Sequence, residues 1–391
     1  MNVKSVAISL LTGLILLGLN GCSMAQTAPT NNSESVHVES YLPVRNLTSN
    51  AKVYPLSSLV PHSQIHSISD FPNGVVEYGD NAGFYVPVWN QGPASHTNIG
   101  RVGLYFVNKS TGSSNEIVKE SRDQWQVEQA VADDDWLVWQ DSPNDDSTYE
   151  LWCENLKTHQ TERIYAVPQQ SQRGNQPSLV LDGDILYWSN FITTNNGILS
   201  QICSVNLRTG NKNVLLELLA RRTETASPGI IVSSVLMKDK IYYSVFNTNN
   251  LADVNASGTI YSISVNGGTP SKVLSLYHVA DQLATDGISL AFTTNYKQEP
   301  NGPNNPAPFP VYVYTPGEKT IQQVTPTGPD AGEFPSISSR YVAWFGRRGG
   351  PQLYDRKTNT YYLVPGLNVR VFEDTLFWSD GNSIFWSKLP S

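Results

Sequence analysis

The chain has 391 residues, only 15% of them charged, and its formal net charge is −8 at pH 7. This length allows one large core or two ordinary domains. Its 34 acidic residues outnumber 26 basic ones, which argues against broad binding to nucleic acid. Nine Trp and nineteen Tyr supply ample material for a core, so the composition favours a folded protein with a polar, weakly charged surface.

Residues 1–21 have the pattern of an export signal. Lys4 precedes a mainly apolar run, Val6 to Leu19, which is shorter than the roughly 20 residues that span a bilayer. The run ends in "LNGC", which resembles the bacterial lipobox, where a cysteine receives diacylglycerol and becomes the first residue. The resemblance implies lipidation at Cys22. Ordinary secretion and an uncleaved anchor are the alternatives.

Residues 22–50 are polar and show no apolar periodicity, so they are predicted to be a flexible tether. Lipid on Cys22 would place the protein in the cell envelope, outside the cytoplasm, because two or more acyl chains give stable anchoring. Residues 51–391 are then the folded domain.

The folded part repeats one phrase, an acidic turn followed by an apolar, aromatic run. Aligning the runs on their closing aromatic gives five steps of about fifty residues and a last step of 34, and a period near fifty is typical of four-stranded propeller blades. The aligned residues are Trp89, Trp139, Trp188, Tyr243, Phe292, Trp344 and Trp378. Each run is apolar on consecutive residues, which predicts a strand covered on both faces by neighbouring blades.

The last unit has only three strands before the chain ends at Ser391. A segment that resembles the outer strands, Ala51–Leu59, precedes the first full unit. A ring closed by this N-terminal strand would leave no open edge in the last blade. The prediction is an all-β, seven-bladed β-propeller, with six or eight blades as the alternatives.

The repeats also resemble a known family. The phrases "DDDWLVWQDS", "ELWCENLKT" and "GLYFVNKSTG" are similar to the TolB-like and WD-like propeller repeats of bacterial envelope proteins. The resemblance extends over about residues 51–391. It implies a propeller that binds proteins or glycans and implies no reaction.

Motifs for catalysis, metals and cofactors are missing from the sequence. It contains no sialidase-type Asp box, P-loop, GxSxG or GxGxxG, and its six His are scattered. Neither a cofactor nor a metal is therefore predicted. Cys153 and Cys203 are expected to be separate buried thiols, with a disulfide between them as the alternative.

Function is expected on the long loops that join the second and third strands of the blades. Arginines on this face could bind an anionic group, and aromatic rings could stack on sugars or peptides. The predicted ligand-binding residues are Arg101, Arg173, Arg221, Arg222, Arg347, Arg348, Phe191 and Tyr296.

Two functions remain open. The first is a membrane-anchored scaffold that binds a protein or cell-envelope ligand, with no nucleic-acid partner. The alternative is an extracellular hydrolase acting on polysaccharide or peptide through carboxylates that only the fold brings together. The candidate carboxylates are Asp141, Asp330, Glu333 and Asp380.

Overall fold

The structure, a computed structural model, describes most of the chain beyond residue 40. The described residues are 41–48, 50–72, 74–89, 101–119, 125–133, 135–143, 147–168, 172–173, 176–221, 228–250, 253, 256–294, 309–325, 332–346 and 349–391. They form seven sheets arranged as a seven-bladed β-propeller, which confirms the predicted fold class.

The N-terminal segment contributes three short strands and two 3₁₀ turns before the first blade. They are β1 (Val44–Asn46), β2 (Lys52–Pro55), the turns Leu56–Ser58 and His62–Gln64, and β3 (His66–Ser69). Blades 1 to 3 follow in chain order. Blade 1 comprises β4 (Tyr78–Gly79), β5 (Gly83–Trp89), β6 (Arg101–Asn108) and β7 (Ser114–Lys119). Blade 2 comprises β8 (Trp125–Ala132), β9 (Trp136–Pro143), β10 (Glu150–Asn155) and β11 (Gln160–Ala166). Blade 3 has its inner strand in two parts, β12 (Gln172–Arg173) and β13 (Ser178–Asp182), then β14 (Ile185–Thr194), β15 (Gly197–Asn206) and β16 (Lys212–Arg221).

The remaining four blades complete the ring. Blade 4 comprises β17 (Ile230–Met237), β18 (Lys240–Phe246), β19 (Gly258–Ser264) and β20 (Ser271–Leu276). Blade 5 comprises β21 (Asp281–Thr285), β22 (Leu290–Thr293), β23 (Val311–Tyr314) and β24 (Ile321–Gln323). Blade 6 comprises β25 (Gly332–Ile337), β26 (Tyr341–Gly346), β27 (Gly350–Asp355) and β28 (Thr360–Leu363). Blade 7 comprises β29 (Asn368–Phe372), β30 (Thr375–Ser379) and β31 (Ser383–Lys388), together with β3.

The repeated apolar phrase forms the second strand of each blade. In β9 every residue from Trp136 to Ser142 is buried, and β22 and β30 are buried throughout. A strand inside a sheet that is stacked between two others has no wet face, so consecutive apolar residues are needed. Apolar clusters accordingly fill the spaces between neighbouring blades, such as the one that joins Leu151 of blade 2 to Leu186 of blade 3.

The inner strands are held to one another around the central axis by side-chain hydrogen bonds. β-Bulges interrupt the pairing of the inner strands of blades 2, 4, 5 and 6, and a bulge leaves a backbone group outside the ladder. A polar side chain of the preceding blade accepts a hydrogen bond from the next inner strand. These bonds run from Ser234 N to Ser178 Oγ (3.2 Å), Leu283 N to Ser233 Oγ (3.0 Å), Phe334 N to Gln282 Oε1 (2.6 Å) and Val371 N to Ser336 Oγ (2.9 Å).

An N-terminal strand closes the ring, as predicted, but it is not the predicted segment. β3 (His66–Ser69) pairs antiparallel with β31 and supplies the fourth strand of blade 7. The predicted segment, Ala51–Leu59, contains β2, which instead pairs in parallel with β28 as a fifth strand of blade 6. Both segments have the residue pattern of a β-strand. That pattern does not determine which blade's outer edge each strand will pair with.

The ordered domain also begins before the predicted boundary at residue 51. β1 pairs in parallel with β24 and adds a fifth strand to blade 5. The segment 44–69 therefore runs along the outer edges of blades 5, 6 and 7 in turn. Three residues of β1 are too few to produce the apolar periodicity on which the boundary was based.

The two faces of the ring differ in the connections that they carry. One face, here called the turn face, carries the short turns between first and second and between third and fourth strands. On this face Arg340 binds Asp355 at 2.6 Å, and Arg356 of blade 6 reaches Asp286 of blade 5 at 3.3 Å. The opposite loop face carries the connections between second and third strands and between blades.

Candidate binding cleft

Three of the predicted arginines start or end strands at the loop face. Arg101 begins β6, Arg173 ends β12 and Arg221 ends β16. Arg221 is exposed, whereas the side chains of Arg101 and Arg173 lie outside the described part of the molecule. Their role in binding stays a prediction. Also outside the described residues are Arg222, Arg347, Arg348, Tyr296 and the predicted lipidation site, Cys22.

Phe191 was expected on a loop as a stacking ring, and this expectation is wrong. The residue lies within β14, which continues to Thr194, and its side chain is only 4% exposed. It packs with Ile198, Ala220 and Phe246 between blades 3 and 4. The polar Asn and Thr residues around it suggested a loop, but β14 and β15 form a ten-residue hairpin there.

The candidate carboxylates are distributed over different environments. Asp380 caps a turn at the loop face, where backbone hydrogen bonds from Asn382 and Ser383 lower its pKa. Asp141 is 6% exposed and lies within β9. Glu333 lies near the axis in β25, whereas Asp330 is outside the described residues.

Cys153 and Cys203 are both buried and free, as expected, rather than joined in a disulfide. They share the apolar cluster between blades 2 and 3. Burial raises the pKa of Cys153 to about 11 and that of Cys203 to about 12. Their thiols therefore stay protonated, and neither is suited to nucleophilic chemistry.

Metal ligands are not gathered anywhere in the described part of the chain, where no group of three or more His, Cys, Asp or Glu side chains could hold an ion. His62 and His66, four residues apart, lie in different environments. His62 lies in a 3₁₀ turn, and His66 stacks on Trp386 with ring centroids 5.6 Å apart.

A cleft opens between blades 1 and 2 and has a volume of about 220 Å³. One wall is the outer strand of blade 1, and the other crosses all four strands of blade 2. Lys119, which ends β7, and Trp125, which begins β8, place one end of the cleft at the loop face. The lining side chains of blade 2 include Trp125, Trp139, Trp152, Asp141, Glu154 and Thr161.

The register of β9 and β10 explains why these residues share one wall. Asp141 pairs with Glu150, Trp139 with Trp152 and Leu137 with Glu154. Alternate residues of a strand point to the same side, so this set faces blade 1. The residues between them, such as Val138 and Leu151, face blade 3 instead.

The acidic groups along this wall are held by neighbouring side chains. Glu150 accepts hydrogen bonds from Arg163 Nη1 at 2.9 Å and from the Trp152 indole at 3.1 Å. Glu154 contacts His159 Nδ1 at 3.0 Å. The Trp152 ring is therefore fixed in orientation by its bond to Glu150.

Sequence reasoning named Asp141 but missed the tryptophans and the cleft itself. Trp139 was predicted only as part of a buried strand, and no role was predicted for Trp152. One signal was available: the second and third strands of blade 2 alternate acidic and aromatic residues on one face, which no other unit does to the same degree. The cavity could not be foreseen, because β7 supplies its other wall.

The described residues contain no helix long and apolar enough to cross a membrane. Comparisons with known sequences are equally negative: no protein-family model matches the chain, and no curated protein does. Solved structures do match. The chain is similar to the β-propeller domain of the trilobed protease from Pyrococcus furiosus, with a TM-score of 0.54 and 12% identity over 83% of this chain and 97% of that one.

Peptidases that contain a propeller also match. Pyrococcus horikoshii acylaminoacyl peptidase gives a TM-score of 0.54 at 12% identity, over 83% of this chain and 53% of that chain. An acylaminoacyl peptidase complexed with a chloromethyl ketone gives 0.53 at 12% identity, over 79% and 49%. The chain thus spans about half the length of these peptidases. At this identity the similarity shows the propeller fold alone.

Proposed function

We propose that this chain is a binding propeller, tethered outside the cytoplasm by lipid on Cys22, that recognises a ligand of the cell envelope through its loop face. The observation that carries the proposal is the cleft between blades 1 and 2. It is lined by tryptophan and carboxylate side chains and reaches the loop face beside Lys119 and Trp125. Small-molecule sites are concave, mostly apolar and provided with a few polar groups, and the cleft has these properties.

The location rests on the sequence of the first fifty residues. The apolar run that ends in "LNGC" supports export and lipidation at Cys22. Cells that express the full chain and are fed labelled palmitate should incorporate label into the wild-type protein and not into Cys22→Ala. Equal labelling of the two proteins would remove the lipid anchor from the proposal.

Binding is tested by photo-crosslinking in cells that make the full-length protein. A benzophenone amino acid replaces Thr161, at the outer end of the cleft, and in a control it replaces Val214 on the rim of blade 3. Val214 is 56% exposed, so it reports on random encounters. The cleft position should give a discrete adduct that the control lacks. Identical adduct patterns, or no adduct from Thr161, would contradict the proposal.

A hydrolase is the second candidate, and one pair of carboxylates favours it. Asp281 begins the inner strand of blade 5, and Glu333 lies in the inner strand of blade 6. Burial raises the pKa of Asp281; a backbone hydrogen bond from Gln282 opposes this, and the charge of Glu333 adds to it. Two carboxyl groups in different environments, on the inner strands of adjacent blades, are the kind of pair that acid–base hydrolysis uses.

Release of reducing ends or of new amino termini from envelope polymers tests the hydrolase. The wild-type protein and Glu333→Gln are compared over several hours. Activity in the wild type that the variant loses would favour the enzyme. Equal, background-level release from both would leave the binding function as the conclusion.

A further inference from the structure

The cleft between blades 1 and 2 is an interruption in an otherwise filled interface. Nearer the turn face, blades 1 and 2 pack through Tyr85, Leu104 and Leu137, all of which are buried. The outer strand of blade 1 and the sheet of blade 2 separate along a line that runs from Lys119 and Trp125 at the loop face to Glu154 and Thr161 in the third and fourth strands, and leave the cavity of about 220 Å³. Buried interfaces between blades normally fill to the density of a core, so a cavity of this size is space that a ligand group could occupy.

An aromatic surface forms the middle of the cleft wall. Trp139 and Trp152 are directly opposite each other in the β9–β10 ladder, and directly opposite residues have Cβ atoms about 4.5–5.5 Å apart. Trp139 is 5% exposed, and Trp152 is half-buried with its indole N–H bound to Glu150. Trp139 belongs to the packed cluster that contains Leu137, so the partly buried Trp152 supplies the indole face that borders the cleft, and this ring needs no ordering when a ligand arrives.

Hydrogen-bonding groups stand at both ends of this aromatic surface. Asp141 lies two residues beyond Trp139 toward the loop face, opposite Glu150, and Glu154 lies four residues beyond Glu150 on β10. Four residues of an antiparallel strand span about 14 Å, which separates the two carboxylate positions along the cleft. Thr161 pairs directly with Glu154, and Lys119 and Gln126 line the end at the loop face.

We propose that this cleft binds a short, neutral oligosaccharide of pyranose rings, an inference that rests on the binding function proposed above. A pyranose has an apolar face of C–H groups and a polar edge of hydroxyls. Its apolar face would stack on the indole of Trp152, beside the buried Trp139. Its hydroxyls would donate to Asp141 and Glu154 and accept from Lys119, Gln126 or Thr161.

Charge disfavours the other ligands that an aromatic cleft could take. Among the described residues of the lining, an anionic saccharide would meet two carboxylates and one amine. Among the carboxylates on this wall, Glu150 already binds Arg163, which leaves less negative charge to attract a cationic ligand. Carboxylates that already have a basic neighbour can still accept hydroxyl hydrogen bonds, because each has about four lone-pair sites.

The backbone around the cleft disfavours a peptide added as a strand. Such peptides pair with the exposed edge of a sheet. The wall here is the face of β9 and β10, and the backbones of both strands are already paired on either side. Side chains, rather than backbone groups, are what the cleft offers to a ligand.

The test is isothermal titration of the purified full-length protein with cellohexaose and chitohexaose as neutral probes and hexagalacturonate as an anionic probe. At least one neutral probe should bind, and hexagalacturonate should bind at least tenfold more weakly. Trp152→Ala should weaken binding of that probe by tenfold or more. Tyr54→Ala, a matched control on the exposed rim of blade 6, should leave it unchanged.

Trp152→Phe distinguishes a loss of binding from a folding defect. Because this variant keeps an aromatic ring, its affinity for the neutral probe should be within a few-fold of the wild-type affinity. The proposal is overturned if neither neutral probe binds to a folded wild-type protein, or if Trp152→Ala binds as tightly as wild type. A protein adduct from the crosslinker at Thr161, together with no saccharide binding, would reject the saccharide and keep the binding function.

Discussion

The two faces of the sheet in blade 2 meet different neighbours with different side chains. Toward blade 3, β9 and β10 present Val138, Leu151 and Cys153, which are buried in a closed apolar cluster. Toward blade 1, the same two strands present Asp141, Trp139 and Trp152, and part of that interface stays open. One sheet therefore stabilises the ring on one side and offers a site on the other. The alternation of side chains along a strand makes this division of roles available to any blade.

The largest effect expected from this contrast is on stability at the closed interface. Leu151→Ala should lower the free energy of unfolding by about 2–5 kcal/mol, because Leu151 is fully buried and its removal leaves a cavity. Ile117→Ala, at the cleft wall, should cost at most about 1 kcal/mol, since Ile117 already borders empty space. Denaturant unfolding measures the loss of unfolding free energy in each variant. Equal losses in the two variants would contradict the contrast between the closed interface and the cleft.

Neutralising a buried carboxylate should give a smaller difference in stability between the turn face and the cleft. Asp355 has no exposed side-chain surface and accepts two hydrogen bonds from Arg340. Burial by itself would raise the pKa of Asp355, but the bonds from Arg340, Thr358 and the Lys357 backbone lower it overall. Asp355→Asn should therefore cost about 1–3 kcal/mol at pH 7, whereas Glu154→Gln in the cleft should cost less than about 1 kcal/mol.

The pH dependence of Asp355 has a definite sign. A carboxyl with a lowered pKa in the folded state stabilises the protein above its unfolded pKa, whose ordinary value is 3.8. This contribution is lost as the pH falls through the lower folded value. The wild type should lose more stability than Asp355→Asn between pH 5 and about pH 2, and parallel curves for the two proteins would contradict the assignment.

Chemical labelling is the smallest perturbation. It tests, without a mutation, the contrast between the closed interface with blade 3 and the open cleft facing blade 1. At pH 8 a thiol with a pKa of about 11, as in Cys153, is about one-thousandth ionised, against about a quarter for an ordinary cysteine. Labelling of Cys153 and Cys203 by a disulfide reagent should be at least about 100-fold slower in the folded protein than in denaturant. Trp152 should meanwhile be oxidised more readily than the fully buried tryptophans by a small oxidant, because it is partly exposed in the cleft. Fast labelling of both thiols in the folded state would show that the interface with blade 3 is not closed.

The candidate site was predictable only in part. Asp141 was predicted only as a candidate catalytic carboxylate, and the structure places it on the same face of blade 2 as Trp139 and Trp152. The prediction for Phe191 was wrong for the opposite reason, because its polar neighbours suggested a loop where the strand pair β14–β15 continues. In both cases the outcome depended on how far a strand runs before it turns, which local composition reports poorly.

The sequence by itself determined the ring of blades and the buried second strand of each blade. Both follow from periodicity within about fifty residues, and every repeat of the phrase reports the same burial independently. Only the tertiary structure decided which N-terminal strand closes blade 7, where β1 and β2 add to the rim, and that a cleft separates blades 1 and 2. Each of these depends on surfaces of segments far apart in the chain, and no local pattern records the fit between two such surfaces.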